Sequence, residues 1–384
     1  MTSRQRVLKA INHEIPDRVP IDFGGFQTGI HKKAYAELLD YLGIKKEKII
    51  TLDPIQGLAK PSEEILRRFR TDIRYVLAHN PDNFKGEIVK NTRDSSLWYD
   101  LKDEFGVVWS MLGDQQLYMD ITHHPLANAT VDDIADYSFP NGDDMSRFTG
   151  VRQQAEQIRD ETPYALSTGI GGVVYEYCWY MRGLERWFMD MIENPAFCEA
   201  LLDRILQFWI DYYTAFMAQI GDIVDIVMIG DDIAGQHGPL FSPELYRRIV
   251  KPRQKKLVQH IKSLTKAKIW YHTCGSCIQY IPELLDNGID ILNPVQISAD
   301  NMDPALLKGK YGERLVFWGG CIDAQHILPF AKASEVREHV RRNIEIFKPG
   351  GGYVFNNVHN IQVGVPAENI VALFDAAYEF GFYN

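Results

Sequence analysis

Lys268-Ile269-Trp270-Tyr271-His272-Thr273-Cys274 decides the reading of this chain. Its first residues are apolar and aromatic, the composition of a short buried strand. In an extended chain residues i and i+2 share a face, so His272 and Cys274 can grip one ion. A second strand-like run, Leu315-Val316-Phe317-Trp318, leads to Gly319-Gly320-Cys321. An imidazole and two thiols form a ligand set that zinc favours, and three protein ligands leave one position open for substrate. The expected metal set is therefore His272, Cys274 and Cys321, with Cys277 able to take the place of Cys321. Two other readings stay open. Cys274-Gly275-Ser276-Cys277 has the spacing of a redox pair, and free cysteines are also common as small buried hydrophobes. Cys178 and Cys198, in apolar helix-like surroundings, read as core.

Outward from this stretch, short strand-like runs alternate with longer helical patterns, the signature of βαβ units and a parallel sheet. The runs fall at 19–23, 73–77, 164–167, 223–229, 268–272, 289–293, 315–318 and 353–355. Eight of them match an α/β fold of the (β/α)8 TIM-barrel kind, whose 384 residues leave room for insertions. Ser242-Pro243-Glu244 opens a long helix with an N-cap and a first-turn proline, and Ser334-Glu335 opens another. The rhythm breaks over residues 80–145. There Leu97 to Trp109 reads as a hairpin turning near Asp103-Glu104-Phe105-Gly106, so a single barrel domain over 1–384 is expected to carry an inserted subdomain or lid between its early strands.

Composition sets limits on function. Hydrophobic residues make up 46% of the chain, enough for a large core. Five cysteines without a framework pattern fit a reducing setting, and the polar, helix-like start Met1-Thr2-Ser3-Arg4 does not read as a signal peptide. No apolar run approaches the roughly 20 residues that span a bilayer, so a cytoplasmic protein is expected. A net charge of −10 argues against general nucleic-acid binding. The basic groups Lys251, Arg253, Lys255, Lys256 and Arg341-Arg342 read as solvated helix faces.

In such barrels the residues just after each strand line the active site. That rule gathers His272, Cys274 and Cys321 with Asp231, Asp232, Asn293, Gln296, Asn356, Asn357 and His359 at one mouth. Asp231, Asp232 and His359 are the candidates for catalytic work: the carboxylates as metal ligand, general base or orienter of His272, and His359 as a contact to substrate or partner. N-capping is an equal alternative for each carboxylate, and a loop-stabilising hydrogen bond for His359. Asn293, Gln296, Asn356 and Tyr177 are the candidate substrate contacts. The aromatic groups Trp98, Tyr99, Phe105, Trp109 and Tyr175, Tyr177, Trp179, Tyr180 suit either core packing or an aryl methyl ether.

Several segments, in order, resemble the uroporphyrinogen decarboxylase superfamily. They are Asp17-Arg18-Val19-Pro20, Ile229-Gly230-Asp231-Asp232, Gly238 to Pro243, His272 to Gly275, Ile291 to Gln296, Phe317 to Gly320 and Gly351 to Asn356. The resemblance implies a (β/α)8 barrel and one of two chemistries. Decarboxylases of the family hold substrate carboxylates with an Arg-rich segment after the first strand. Here that place reads Ile21-Asp22-Phe23-Gly24-Gly25-Phe26-Gln27-Thr28, without arginine. The other branch resembles this chain in its His-x-Cys followed much later by Cys, and implies a zinc-dependent methyltransferase working with a corrinoid protein. Related enzymes carry a Glu after the next strand, where this chain has Asn293 and Gln296.

The expected activity is methyl transfer from a small methylated substrate, best a methoxylated aromatic, to a corrinoid protein, or from a methyl-corrinoid to a thiol. No D-x-H-x-x-G is present, so the corrinoid is expected on a separate partner protein. A homo-oligomer is compatible with this reading. A metal-independent decarboxylase or lyase of the same fold, and a zinc-dependent binding protein without chemistry, are the alternatives.

Overall fold

The computed structural model describes residues 1–45, 47–113 and 117–383. Seven parallel strands form one curled sheet, in the order Tyr353–Val354, Val316–Trp318, Ile291–Asn293, Lys268–His272, Ile226–Gly230, Ala165–Gly171 and Ile73–Val76. Segment 19–23 joins the two ends. Asp22 N–H donates to Phe355 C=O at 2.9 Å, Phe355 N–H to Pro20 C=O at 2.8 Å, and Asp72 N–H to Ile21 C=O at 2.8 Å. Pro20 has no N–H to give, so this eighth element is held by isolated bridges and not by a full ladder. The architecture is the expected α/β barrel.

A charged cluster fastens segment 19–23. The Asp72 carboxylate, fully buried, accepts from Arg18 at 2.8 and 3.0 Å, from Arg6 at 2.7 Å and from Ile21 N–H at 2.8 Å. Arg18 belongs to the Asp17-Arg18-Val19-Pro20 stretch singled out above, and barrel closure is the reason that stretch is needed.

The period of two along each strand sorts its side chains. Ile73, Ala165, Ile226, Met228, Trp270, Ile291, Val316, Trp318 and Val354 pack together as one cluster, with Val7, Ala10 and Ile11 of helix Ser3–Ile11 against them. Intervening residues such as Val227, Ile229, Ile269, Tyr271, Leu292 and Phe317 belong to the larger cluster shared with the helices. Two residues beyond Trp270, Ile291 and Val354 stand His272, Asn293 and Asn356, which continue the inward rows. The strand expected from residue 223 begins at Ile226 instead. Ile223 and Val224 both donate their N–H groups to Ile220 C=O, closing helix Pro195–Ile220.

Between the barrel strands Ile73–Val76 and Ala165–Gly171 lies a four-stranded antiparallel sheet of Ile88–Arg93, Ser96–Lys102, Val108–Leu112 and Asp120–His123. Its central pair aligns Lys102 with Val108 around the expected turn. The first strand is exposed along nearly its whole length, so it lacks the alternation that would have announced it. No helix among the described residues is long and apolar enough to cross a membrane.

Candidate metal centre

Gly230 stands beside His272 in the parallel ladder, and a Cβ there would lie 2.7 Å from the histidine Cβ. Glycine is what lets the imidazole occupy the top of the barrel. The ring stacks on Trp270 at 5.8 Å and is 5% exposed. Its Nδ1 lies 2.8 Å from Asn293 Oδ1. Asn293 Nδ2 donates to Trp318 C=O at 2.9 Å and to Asn356 Oδ1 at 3.3 Å, which fixes the amide so that oxygen faces the histidine. His272 therefore carries its proton on Nδ1 and presents a lone pair on Nε2, the arrangement a metal-binding histidine needs.

Cys274 follows, with Sγ 3.5 Å from His272 Nε2. Its N–H donates to Asp232 Oδ1 at 2.7 Å, and Gly275 N–H donates to Gln296 Oε1 at 2.8 Å. Gly275 sits at φ +79°, where a Cβ would lie 2.4 Å from Gly235 C=O. The turn that aims the thiol thus depends on glycine. His359, from the loop after Tyr353–Val354, brings its ring to 5.3 Å from that of His272. The ligand atoms of His272, Cys274 and His359 all lie within 4.8 Å of one another.

The third member corrects the expectation for Cys321. That thiol is fully buried and donates to Asn356 C=O at 2.9 Å, so it braces the last strand and is not in the group of three. Cys277 is buried as well, with its thiol pushed up to about 12 by burial, and is likewise outside the group. In sequence, a histidine five residues past the end of a two-residue strand gives no spacing signal. Only the path of the loop brings His359 in.

Other expected residues fall into supporting places. Asp231 is fully buried and accepts from the N–H groups of Tyr175 and Glu176 at 2.8 and 2.9 Å and from Gln254 Nε2 at 2.7 Å. It caps helix Tyr175–Arg182, so its oxygens are not free for the catalytic role expected of it. Asn293 links His272 to Asn356, and Gln296 joins Gly275 to Gln236, so the amides of all three are engaged within the protein. Asp232 alone of the acid pair opens towards the site, 3.9 Å from His272 Nε2 and 38% exposed. Tyr177 packs against Phe105 at 4.4 Å and lines a cavity of about 960 Å³ with Phe23, Phe26, Tyr75 and Asp53.

Sequence reasoning missed Glu176, which Tyr180 O–H contacts at 2.9 Å. Burial, then the charges of Asp232 and Asp231, hold its carboxyl well above the usual range. Burial, followed by Asp232 and Glu176, also pushes the Cys274 thiol up. Burial lowers His272, and burial with His272 as neighbour lowers His359 to about 3, so both imidazoles are neutral. Among the described residues no lysine or arginine side chain pairs with Asp231, Asp232 or Glu176. Two neutral imidazoles, a thiol and surplus carboxylates with no cation among them are a donor set that fits a divalent metal.

The uroporphyrinogen decarboxylase (URO-D) family profile matches residues 116–380, and the chain belongs to that family. Its relatives include a uroporphyrinogen decarboxylase of Psychromonas ingrahamii, 27% identical over 62% of this chain and 65% of that protein. They also include the methylcobamide:CoM methyltransferase MtbA of Methanosarcina mazei, 24% identical over 54% of this chain and 60% of that protein. The chain thus matches a little under two thirds of the length of either. A solved methyltransferase structure from Methanosarcina mazei superposes over 99% of both chains, with a TM-score of 0.65 and 17% identity, which establishes the shared fold. The family therefore holds both decarboxylases and a corrinoid-dependent methyltransferase.

Proposed function

We propose that this chain is a zinc-dependent methyltransferase that exchanges a methyl group between a small substrate and a corrinoid carried by a separate protein. The observation that carries this reading is the convergence of His272 Nε2, Cys274 Sγ and His359 within 4.8 Å, with the His272 tautomer set by Asn293. These three residues would hold the ion. Bound there, zinc supplies Lewis acidity to an ether or thioether, or keeps a thiol substrate as its thiolate. The likeness to MtbA supports methyl transfer as the reaction.

The chain's own residues complete the site. Asp232 holds the Cys274 main chain and so the direction of the thiol. Burial and the charges of Asp232 and Asp231 hold the Glu176 carboxyl above its usual range, and a divalent cation bound beside these acids would oppose that shift. Phe23, Phe26, Tyr75 and Tyr177 line a cavity whose walls include none of the three ligands, and such aromatic walls suit a methoxylated aromatic donor. A decarboxylase acting on a polycarboxylate is disfavoured by segment 21–28. It offers no guanidinium, and its one charged side chain, Asp22, is fully buried on Tyr75 and Trp318.

The test is zinc content of protein purified without added metal, together with transfer from a methoxybenzene to free cob(I)alamin followed by its absorbance. About one zinc per chain is expected, with metal and transfer both lost in His272→Ala and Cys274→Ala. A metal-free variant that still transfers methyl groups at the wild-type rate refutes the proposal.

A further inference from the structure

The loop that carries His359 is tied to the wall of the cavity by one buried side chain. Asn360 is 4% exposed. Its Oδ1 accepts the Gly29 N–H at 2.7 Å, and its Nδ2 donates to Phe26 C=O at 2.8 Å and to Gln56 Oε1 at 2.9 Å. Both amide hydrogens are used, so the side chain has one orientation. Gln56 Nε2 in turn donates to Asp53 Oδ2 at 2.7 Å. Phe26 and Asp53 line the cavity. The main chain reinforces the link, with Ile361 N–H on Gly29 C=O and His31 N–H on Ile361 C=O, both at 2.9 Å.

We propose that Asn360 is a positioning residue that couples the cavity to the metal centre. It fixes residues 26–29 and 53–56 to the residue next to His359, so movement of the cavity wall is passed to the third ligand. Buried, fully satisfied polar links of this kind hold one geometry rigidly. The proposal rests on His359 being a ligand. It adds that the placement of His359 depends on a side chain that touches neither metal nor substrate, and that a molecule seated against Phe26 acts on the ligand set through it.

Cobalt(II) is the probe, because the position and intensity of its visible bands report ligand number and geometry as well as affinity. Metal-free full-length wild type, Asn360→Ala, Gln56→Ala and His359→Ala are titrated with it. Asn360→Ala is expected to bind more weakly, by up to about 10-fold, the lower end for direct partners of metal ligands, because it holds the backbone beside His359 and not the ring itself, and with altered bands. Gln56→Ala, which removes the Asn360–Gln56–Asp53 link but leaves Asn360 on Gly29 and Phe26, should lose less affinity in the same direction while melting near wild type. If Asn360→Ala does not fold, Gln56→Ala decides alone. Wild-type affinity and spectrum in both variants overturn the coupling. Wild type that binds no cobalt, or His359→Ala that binds like wild type, overturns instead the ligand assignment beneath it.

Discussion

Replacing Asn293 by alanine separates orientation of a ligand from ligation itself. The amide accepts the His272 Nδ1–H at 2.8 Å and donates to Trp318 C=O at 2.9 Å and Asn356 Oδ1 at 3.3 Å, all in a fully buried position. Its loss leaves up to three buried polar groups without their partner, each worth about 1–3 kcal/mol. The 3.3 Å contact is the weakest, and water entering the space left by the amide recovers part of the rest, so a net loss of about 3 kcal/mol in unfolding free energy is expected. The second effect falls on the metal. Without its acceptor the imidazole is free to carry its proton on Nε2, and removal of such partners lowers metal affinity about 10- to 100-fold. That is about 1.4–2.8 kcal/mol of binding free energy. The assay is competition for zinc against a chelator of known affinity, beside urea unfolding of the metal-free protein. Lower stability with unchanged zinc affinity would refute the argument that Asn293 sets the His272 tautomer.

Three further outcomes are expected. Cys321→Ala removes a thiol that donates to Asn356 C=O, so it should cost about 1–2 kcal/mol of stability and leave zinc affinity near wild type, whereas His359→Ala should lose most of it; chelator competition on both variants reads the difference. Asp72→Asn leaves the buried Arg18 guanidinium without its counter-charge, while Arg6 keeps Asp17, and should destabilise the chain by about 3 kcal/mol in chemical unfolding; a change under 1 kcal/mol would contradict the closure role given to that carboxylate. Burial raises the Asp22 carboxyl from 3.8 to about 6, so between those values the folded chain keeps a proton that the unfolded chain releases. Its contribution to stability is then greatest at low pH and falls as pH rises from about 4 to 6, by about 3 kcal/mol for a shift of roughly two units. Asp22→Asn should therefore gain on wild type across that window in denaturant titrations, and a constant difference between the two would contradict the shift.

The barrel was legible because its strands are short apolar runs bounded by helices, and those at 268–272, 315–318 and 353–355 announce themselves by composition alone. The inward rows were legible for the same reason, since counting by two from Trp270, Ile291 and Val354 reaches His272, Asn293 and Asn356. Spacing could not tell an inner partner from a substrate contact. Asn293, Gln296 and Asn356 look like free polar groups in a sequence, and their amides are used up only once neighbouring strands are set side by side. The exchange of Cys321 for His359 has a similar cause. Residue type favoured a second thiol, while the double glycine at 319–320, both at positive φ, turns the chain so that Cys321 meets Asn356 C=O. Glu176 was missed because a lone acid opening a helix reads as an ordinary first-turn carboxylate.

The central claim is that one thiolate and two imidazoles, His272, Cys274 and His359, hold the metal. Zinc X-ray absorption of the purified protein tests it most directly. The account predicts one sulfur at about 2.3 Å with nitrogen and oxygen neighbours at about 2.0–2.2 Å, and loss of one nitrogen in His359→Ala. Two sulfurs per zinc, with one lost in Cys321→Ala, would contradict it.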